Sequence, residues 1–83
     1  MYLLDVYILI AIVDGGHTAH PFAVEWFRQH STDGWGTCPM TENAVIRIMA
    51  QPAYPNSRSP AVIAQLLTQL KRFPGHIFWP DSL

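Results

Sequence analysis

Apolar residues in this chain form unbroken runs and helical stripes. Tyr2-Leu3-Leu4-Asp5 reads as a short buried strand ending in a carboxylate. Val6–Val13 is apolar without interruption, so periodicity cannot separate helix from strand there. A single strand through both would run about 12 residues, longer than strands usually are. The better fit is a strand that turns at Asp5 into a buried helix, which Asp14-Gly15-Gly16 then ends.

The stripes follow. His20-Pro21 reads as a cap with proline at the first helical position, and Phe22, Ala23, Trp26 and Phe27 share one face behind it. Asp33-Gly34 is a turn, and 35–39 a second strand. Thr41 is a good N-cap for a helix carrying Val45, Ile48 and Met49. Residues 51–59 read as an ordered loop holding Pro52, Pro55 and Asn56. Ser59-Pro60 restarts a helix with Ile63, Leu66, Leu67, Leu70 and Phe73 at helical spacing. Lys71 and Arg72 lie in its last turn, where cations favour the helix dipole. Pro74-Gly75 stops it, 76–79 forms a third strand, and Pro80 closes that strand. The core candidates are Trp26, Phe27, Leu66, Leu67 and Phe73.

Strands separated by helices imply an α/β fold with parallel pairing and right-handed crossovers. At 83 residues the chain suits one small domain, 1–83. A chain of this size buries about 60–65% of its unfolded surface, so its core is marginal. Only 13% of residues are charged and the net charge is −1. The composition is therefore globular, and the chain as a whole exerts no strong attraction on nucleic acid. Bound cations would supply positive charge locally, so a nuclease is not excluded. The single cysteine, Cys38, rules out an intrachain disulfide and fits a reducing, cytoplasmic setting. The apolar opening, 1–13, is too short to span a bilayer and lacks a basic leader, so no membrane association is expected.

Two carboxylates stand out. Asp5 interrupts an apolar run, where an unpaired charge is costly, and a strand ending there puts it at the carboxyl edge of a parallel sheet. Glu42 follows the second strand in the first turn of a helix. Carboxylates at the ends of two parallel strands can share a hard cation such as Mg²⁺ or Mn²⁺. On spacing alone they would serve equally well as caps of the helices that follow.

Tyr2-Leu3-Leu4-Asp5-Val6 followed by an apolar helix resembles the first acidic motif of PIN domains, and Cys38-Pro39-Met40-Thr41-Glu42-Asn43 resembles the second. His17, His20, Trp26 and Phe27 between them, residues 56–60, and the closing Gly75-His76-Ile77-Phe78-Trp79-Pro80-Asp81 are similar to VapC-type toxins of toxin–antitoxin pairs. The resemblance covers essentially the whole chain. It implies a PIN-like three-layer fold with a short parallel sheet flanked by helices, and a metal-dependent endoribonuclease acting on RNA. Asp5 would be a direct Mg²⁺ or Mn²⁺ ligand, and Glu42 a second ligand or the residue that positions the attacking water. A VapB-type antitoxin would be the protein partner.

Two departures qualify the resemblance. Tyr7 stands where the family usually carries an asparagine that supports the acidic cluster. The family also has a second half of about 50 residues, with further acidic ligands and strands. The expectation is therefore a partial, truncated PIN domain lacking the C-terminal strands. Its cleavage would be impaired, or it would act without catalysis as an antitoxin-binding or self-associating module. In the family's sheet order, strand two separates strands one and three. Asp81 would then lie roughly 10 Å from Asp5 and reads as a surface residue. Strand one becomes an exposed edge, which predicts a homodimer that buries it or an unstable monomer. His17 and His20 read as surface or capping residues, His30 and His76 show no partner, and Cys38 reads as a small buried hydrophobe. Lys71 and the arginines read as solvated.

Overall fold

A computed structural model describes residues 2–78. The predicted Trp79 end of the third strand, the Pro80 stop and the surface reading of Asp81 lie outside the described residues. Among the described residues, three strands and four α-helices alternate: β1 (Tyr2–Leu3), α1 (Val6–Val13), α2 (His20–His30), β2 (Trp35–Thr37), α3 (Pro39–Met49), α4 (Pro60–Leu70) and β3 (His76–Phe78). A 3₁₀ turn, Ser31–Asp33, precedes β2. The sheet order is β1-β2-β3 and both pairings are parallel, as the alternation of strands and helices predicts. The central strand is buried throughout, whereas Leu3 on β1 and Ile77 and Phe78 on β3 are exposed at the edges.

The continuous apolar run has a packing explanation. Helix α1 touches α2, α3 and α4, so Leu9, Ile10, Ala11 and Ile12 are all buried, one after another around its circumference. A helix surrounded in this way needs no polar stripe. Leu4, Phe27, Trp35, Val45, Met49, Ile63, Leu67 and Leu70 complete the core around it. The Phe27 ring meets Trp35 edge-on at 4.8 Å, and the Trp35 indole donates to the Pro74 carbonyl at 3.2 Å. Burial of the indole thus leaves its N–H paired.

Several boundaries differ from expectation. Helix α3 starts at Pro39, with Cys38 as N-cap. Thr41 is therefore in the first turn rather than at the N-cap, and its Oγ1 accepts from the Cys38 N–H at 3.2 Å as part of a capping box. Proline at the first helical position, where no N–H is needed, moves the start forward and shortens β2 to Thr37. Similarly α2 is capped by Ala19, and His20 is already helical. Phe22 and Phe73 were placed with the apolar stripes, yet they are 82% and 54% exposed. Trp26 and Leu66 are partly buried, and of the five core candidates Phe27 and Leu67 are fully so. Helix α4 starts as predicted, with Ser59 Oγ accepting from Val62 N–H at 3.3 Å and Pro60 opening the helix, but it ends at Leu70 with Lys71 as C-cap, so Arg72 and Phe73 lie past the helix rather than in its last turn.

At the far end of α1, Asp14 is buried and ties the 51–59 loop to the helix. Its Oδ1 accepts from Gly16 N–H at 3.0 Å and from Asn56 Nδ2 at 2.6 Å, and its Oδ2 accepts from the Tyr54 hydroxyl at 2.5 Å. Burial alone would push the Asp14 carboxyl up, but these donors and the nearby His17 hold it below its ordinary value. Burial and the adjacent carboxylate push the Tyr54 phenol up to about 12. The folded state thus binds the Asp14 proton less readily than the unfolded chain. Its contribution is complete above the unfolded value near 3.8 and is lost as pH falls through the lowered folded value. The Tyr54 contribution runs the other way: it is complete below the phenol's ordinary value and is lost as pH rises towards about 12. Asp14→Asn is expected to cost about 2 kcal/mol at pH 7, the scale of hydrogen bonds to a charged group. Thermal melts from pH 7 down to pH 3 should show an acid limb in the unmodified chain that this variant flattens. Parallel acid limbs would remove Asp14 from the account.

Candidate functional site

The carboxyl edge of the sheet gathers the polar side chains that could do chemistry. The register pairs Tyr2 with Trp35 and Leu3 with Gly36, and Leu4 N–H continues the ladder to the Gly36 carbonyl at 3.0 Å. Asp5 therefore leaves β1 alongside the point where Cys38 leaves β2, and Glu42 stands one turn into α3. Neighbouring strands are roughly 4.8 Å apart, so both carboxylates belong to one edge.

Each carboxylate also has a capping or pairing role. Asp5 is exposed and is the N-cap of α1, its Oδ1 accepting from Ile8 N–H at 3.0 Å. Its Oδ2 lies outside that bond. Glu42 is more enclosed. Its Oε2 accepts from the Thr37 hydroxyl at 2.6 Å, and its Oε1 lies 2.8 Å from Lys71 Nζ. Asp5 and Glu42 have no common hydrogen-bond partner among the described residues. Among the described residues, no three His, Cys, Asp or Glu side chains gather as a metal cluster.

Behind Glu42 runs a polar relay that crosses all of the second crossover. Thr37, fully buried at the end of β2, has one hydroxyl proton and gives it to Glu42. His76 on β3 must then donate to Thr37 Oγ1 from Nε2, 2.8 Å away, which fixes its tautomer. Burial, and next the positive charge of Lys71, lower the His76 pKa, against a smaller opposing pull from Glu42. The ring is therefore neutral at pH 7 and keeps its Nε2 proton for Thr37. Such outer partners fix the direction in which a carboxylate presents its oxygens.

Four residues differ from what the sequence predicts. His76 has a partner in Thr37. Lys71 is not solvated but paired, and the pair joins positions 29 apart. His30 also has a partner, its Nδ1 lying 2.9 Å from the Trp26 carbonyl while its ring stacks on Trp26. Cys38 is partly exposed rather than buried. Periodicity carries no signal for such contacts. A lysine closing a helix one strand away from a predicted edge carboxylate was the available hint. Among the other candidates, His17 Nδ1 accepts from Ala19 N–H at 2.9 Å and His20 Nδ1 lies 2.8 Å from the Ala11 carbonyl. These are turn and helix-packing roles.

Asp5 and Glu42 are the side chains here that could hold a cation, and carboxylate oxygens suit hard ions such as Mg²⁺. Beside the edge, Tyr7, Ile8, Ala11, His17, Phe22 and Trp26 line an apolar groove of about 430 Å³.

No protein-family model matches the chain. It is similar to three curated ribonucleases of Mycobacterium tuberculosis. It is 39% identical over 82 residues to Ribonuclease VapC39, covering 98% of this chain and 59% of that protein. It is 36% identical over 77 residues to Ribonuclease VapC44, covering 93% of this chain and 54% of that protein. It is also 36% identical over 84 residues to Ribonuclease VapC38, covering all of this chain and 60% of that protein. The chain thus spans somewhat more than half the length of the curated relatives it matches.

Proposed function

Because the chain belongs to the VapC-type ribonucleases of the PIN-domain family, we propose that it carries the acidic edge of a metal-dependent endoribonuclease that hydrolyses RNA phosphodiester bonds. The observation that supports this reading is that Asp5 and Glu42 follow the C-terminal ends of β1 and β2, two strands paired in parallel register. Asp5 and Glu42 are the residues that would hold Mg²⁺ or Mn²⁺. Such an ion, when bound, supplies a Lewis acid for the phosphate and lowers the pKa of water enough for attack at neutral pH.

The chain's own residues prepare that chemistry. The Ile8 N–H holds Asp5 through Oδ1 and leaves Oδ2 outside that bond. Thr37, oriented by His76, directs Glu42. Exposed Tyr7 stands two residues past Asp5 and offers a face on which an unpaired base of single-stranded RNA can stack. Cleavage of a single-stranded RNA by the chain should appear with Mn²⁺ and vanish with EDTA. Cleavage that persists in EDTA would rule out the metal-dependent reading.

A second reading has its own support. The apolar groove beside the edge, with Tyr7 and Phe22 exposed on it, suits a partner segment, and Leu3 leaves β1 as an open edge. On this reading the chain acts as a module that binds a VapB-type antitoxin or pairs with a second copy as a homodimer. Sedimentation at rising concentration should then show association through β1. A folded monomer at all concentrations would count against self-association. Among the described residues, no helix is long and apolar enough to cross a membrane.

A further inference from the structure

Glu42 already holds a cation. Lys71, the C-cap residue of α4, places Nζ 2.8 Å from Glu42 Oε1, and the ammonium also lies 5.7 Å from the centre of the Phe78 ring on β3. The pair is largely withdrawn from solvent, with 28% of the lysine side chain and 13% of the glutamate side chain exposed. Partners from α3, the end of α4 and β3 hold the ammonium in place, so it is not a loosely tethered surface charge.

The remaining Glu42 oxygen is also engaged, by Thr37. Each oxygen keeps a second lone pair, so a divalent ion can approach Glu42, but it does so against the charge of Lys71. Thr37 is fully buried and held by His76, whereas Lys71 is partly exposed and sits on a flexible four-carbon stem. Lys71 is the partner able to move. Until it does, its charge opposes an incoming cation at short range, where screening by solvent is weak.

We infer that Lys71 is an internal counter-cation that occupies Glu42 and sets how tightly a divalent ion binds at this edge. The inference rests on the proposed reading of Asp5 and Glu42 as oxygen donors for Mg²⁺ or Mn²⁺, and it adds a residue that the acidic pattern does not contain. It gives the edge two states. In one, the carboxylate is neutralised by the ammonium. In the other, the ammonium has swung away from the carboxylate.

The test measures Mn²⁺ binding to the full 83-residue chain without RNA, by the electron paramagnetic resonance signal of the free aqueous ion. Lys71→Met keeps the alkyl stem and removes the charge. Lys71→Gln serves as a second variant, and circular dichroism establishes that each is folded. Both should bind Mn²⁺ roughly three- to tenfold more tightly, the range of a partly screened charge pair. Lys71→Arg should match the unmodified chain, and adding Glu42→Gln to Lys71→Met should abolish the gain. If the folded charge-free variants bind Mn²⁺ no more tightly while Asp5→Asn weakens binding, the Lys71 inference falls and the metal reading stands. If neither the chain nor its Lys71 variants bind Mn²⁺, both fall together.

Discussion

Gly75→Ala is expected to lower the melting temperature by more than about 10 °C, a loss of about 3 kcal/mol or more for a domain of this size. Gly75 joins the end of α4 to β3 with φ of +91°, where an L side chain is strained by about 1–2 kcal/mol. A Cβ there would also sit 2.4 Å from the Ser31 carbonyl oxygen, a backbone atom that cannot swing aside. Overpacking of that kind adds about 1–3 kcal/mol. The damage would spread, because the Gly75 carbonyl accepts from Trp35 N–H at 2.9 Å and so registers β3 on the central strand. His76, which orients Thr37, is the next residue. Gly15→Ala is the control, since a Cβ at that position meets nothing within 4 Å. It should be close to neutral in the same melt.

Asp5→Asn is expected to reduce RNA cleavage on the order of a hundredfold while leaving the fold intact. The two halves of that expectation have separate causes. Asparagine is as good an N-cap as aspartate, so its amide oxygen keeps the bond to Ile8 N–H and α1 keeps its start. Asp5 is exposed, and its replacement creates no cavity. What disappears is one of the two negative charges that would attract and hold a divalent ion. An equal melting temperature with lost cleavage thus assigns Asp5 to the chemistry and not to helix capping. The same comparison at Glu42 would be less clean, because Glu42→Gln also strips Lys71 of its partner.

Much of the fold follows from local chemistry that can be read along the chain. The start of α4 comes from Ser59 and Pro60 and its body from the apolar stripe behind them, all within one segment. The parallel sheet follows from strands separated by helical runs, and the turn of the chain at Asp5 from the length of the apolar opening. The polar relays were not legible in this way. Thr37 meets His76 across 39 positions, and Asp14 meets Tyr54 and Asn56 across 40 and 42. Such pairs depend on how crossovers return to the sheet, which no local pattern encodes. Exposed Phe22 and Phe73 show the other limit. Helical spacing assigns a face, but only the packed neighbours decide how far that face is covered.

For the site, the sequence placed both carboxylates at strand ends, and it left open whether they cap helices or hold a metal. The structure has Asp5 capping α1 with one oxygen and leaves the other outside that bond, so capping and ligation are compatible roles. Lys71 is the residue whose importance only the folded chain reveals.

The central claim is that Asp5 acts in RNA hydrolysis. It is tested most directly by incubating a labelled single-stranded RNA with Mn²⁺ and equal amounts of folded unmodified chain or folded Asp5→Asn chain. The account predicts cleavage by the first and almost none by the second. Equal cleavage by the two would contradict it.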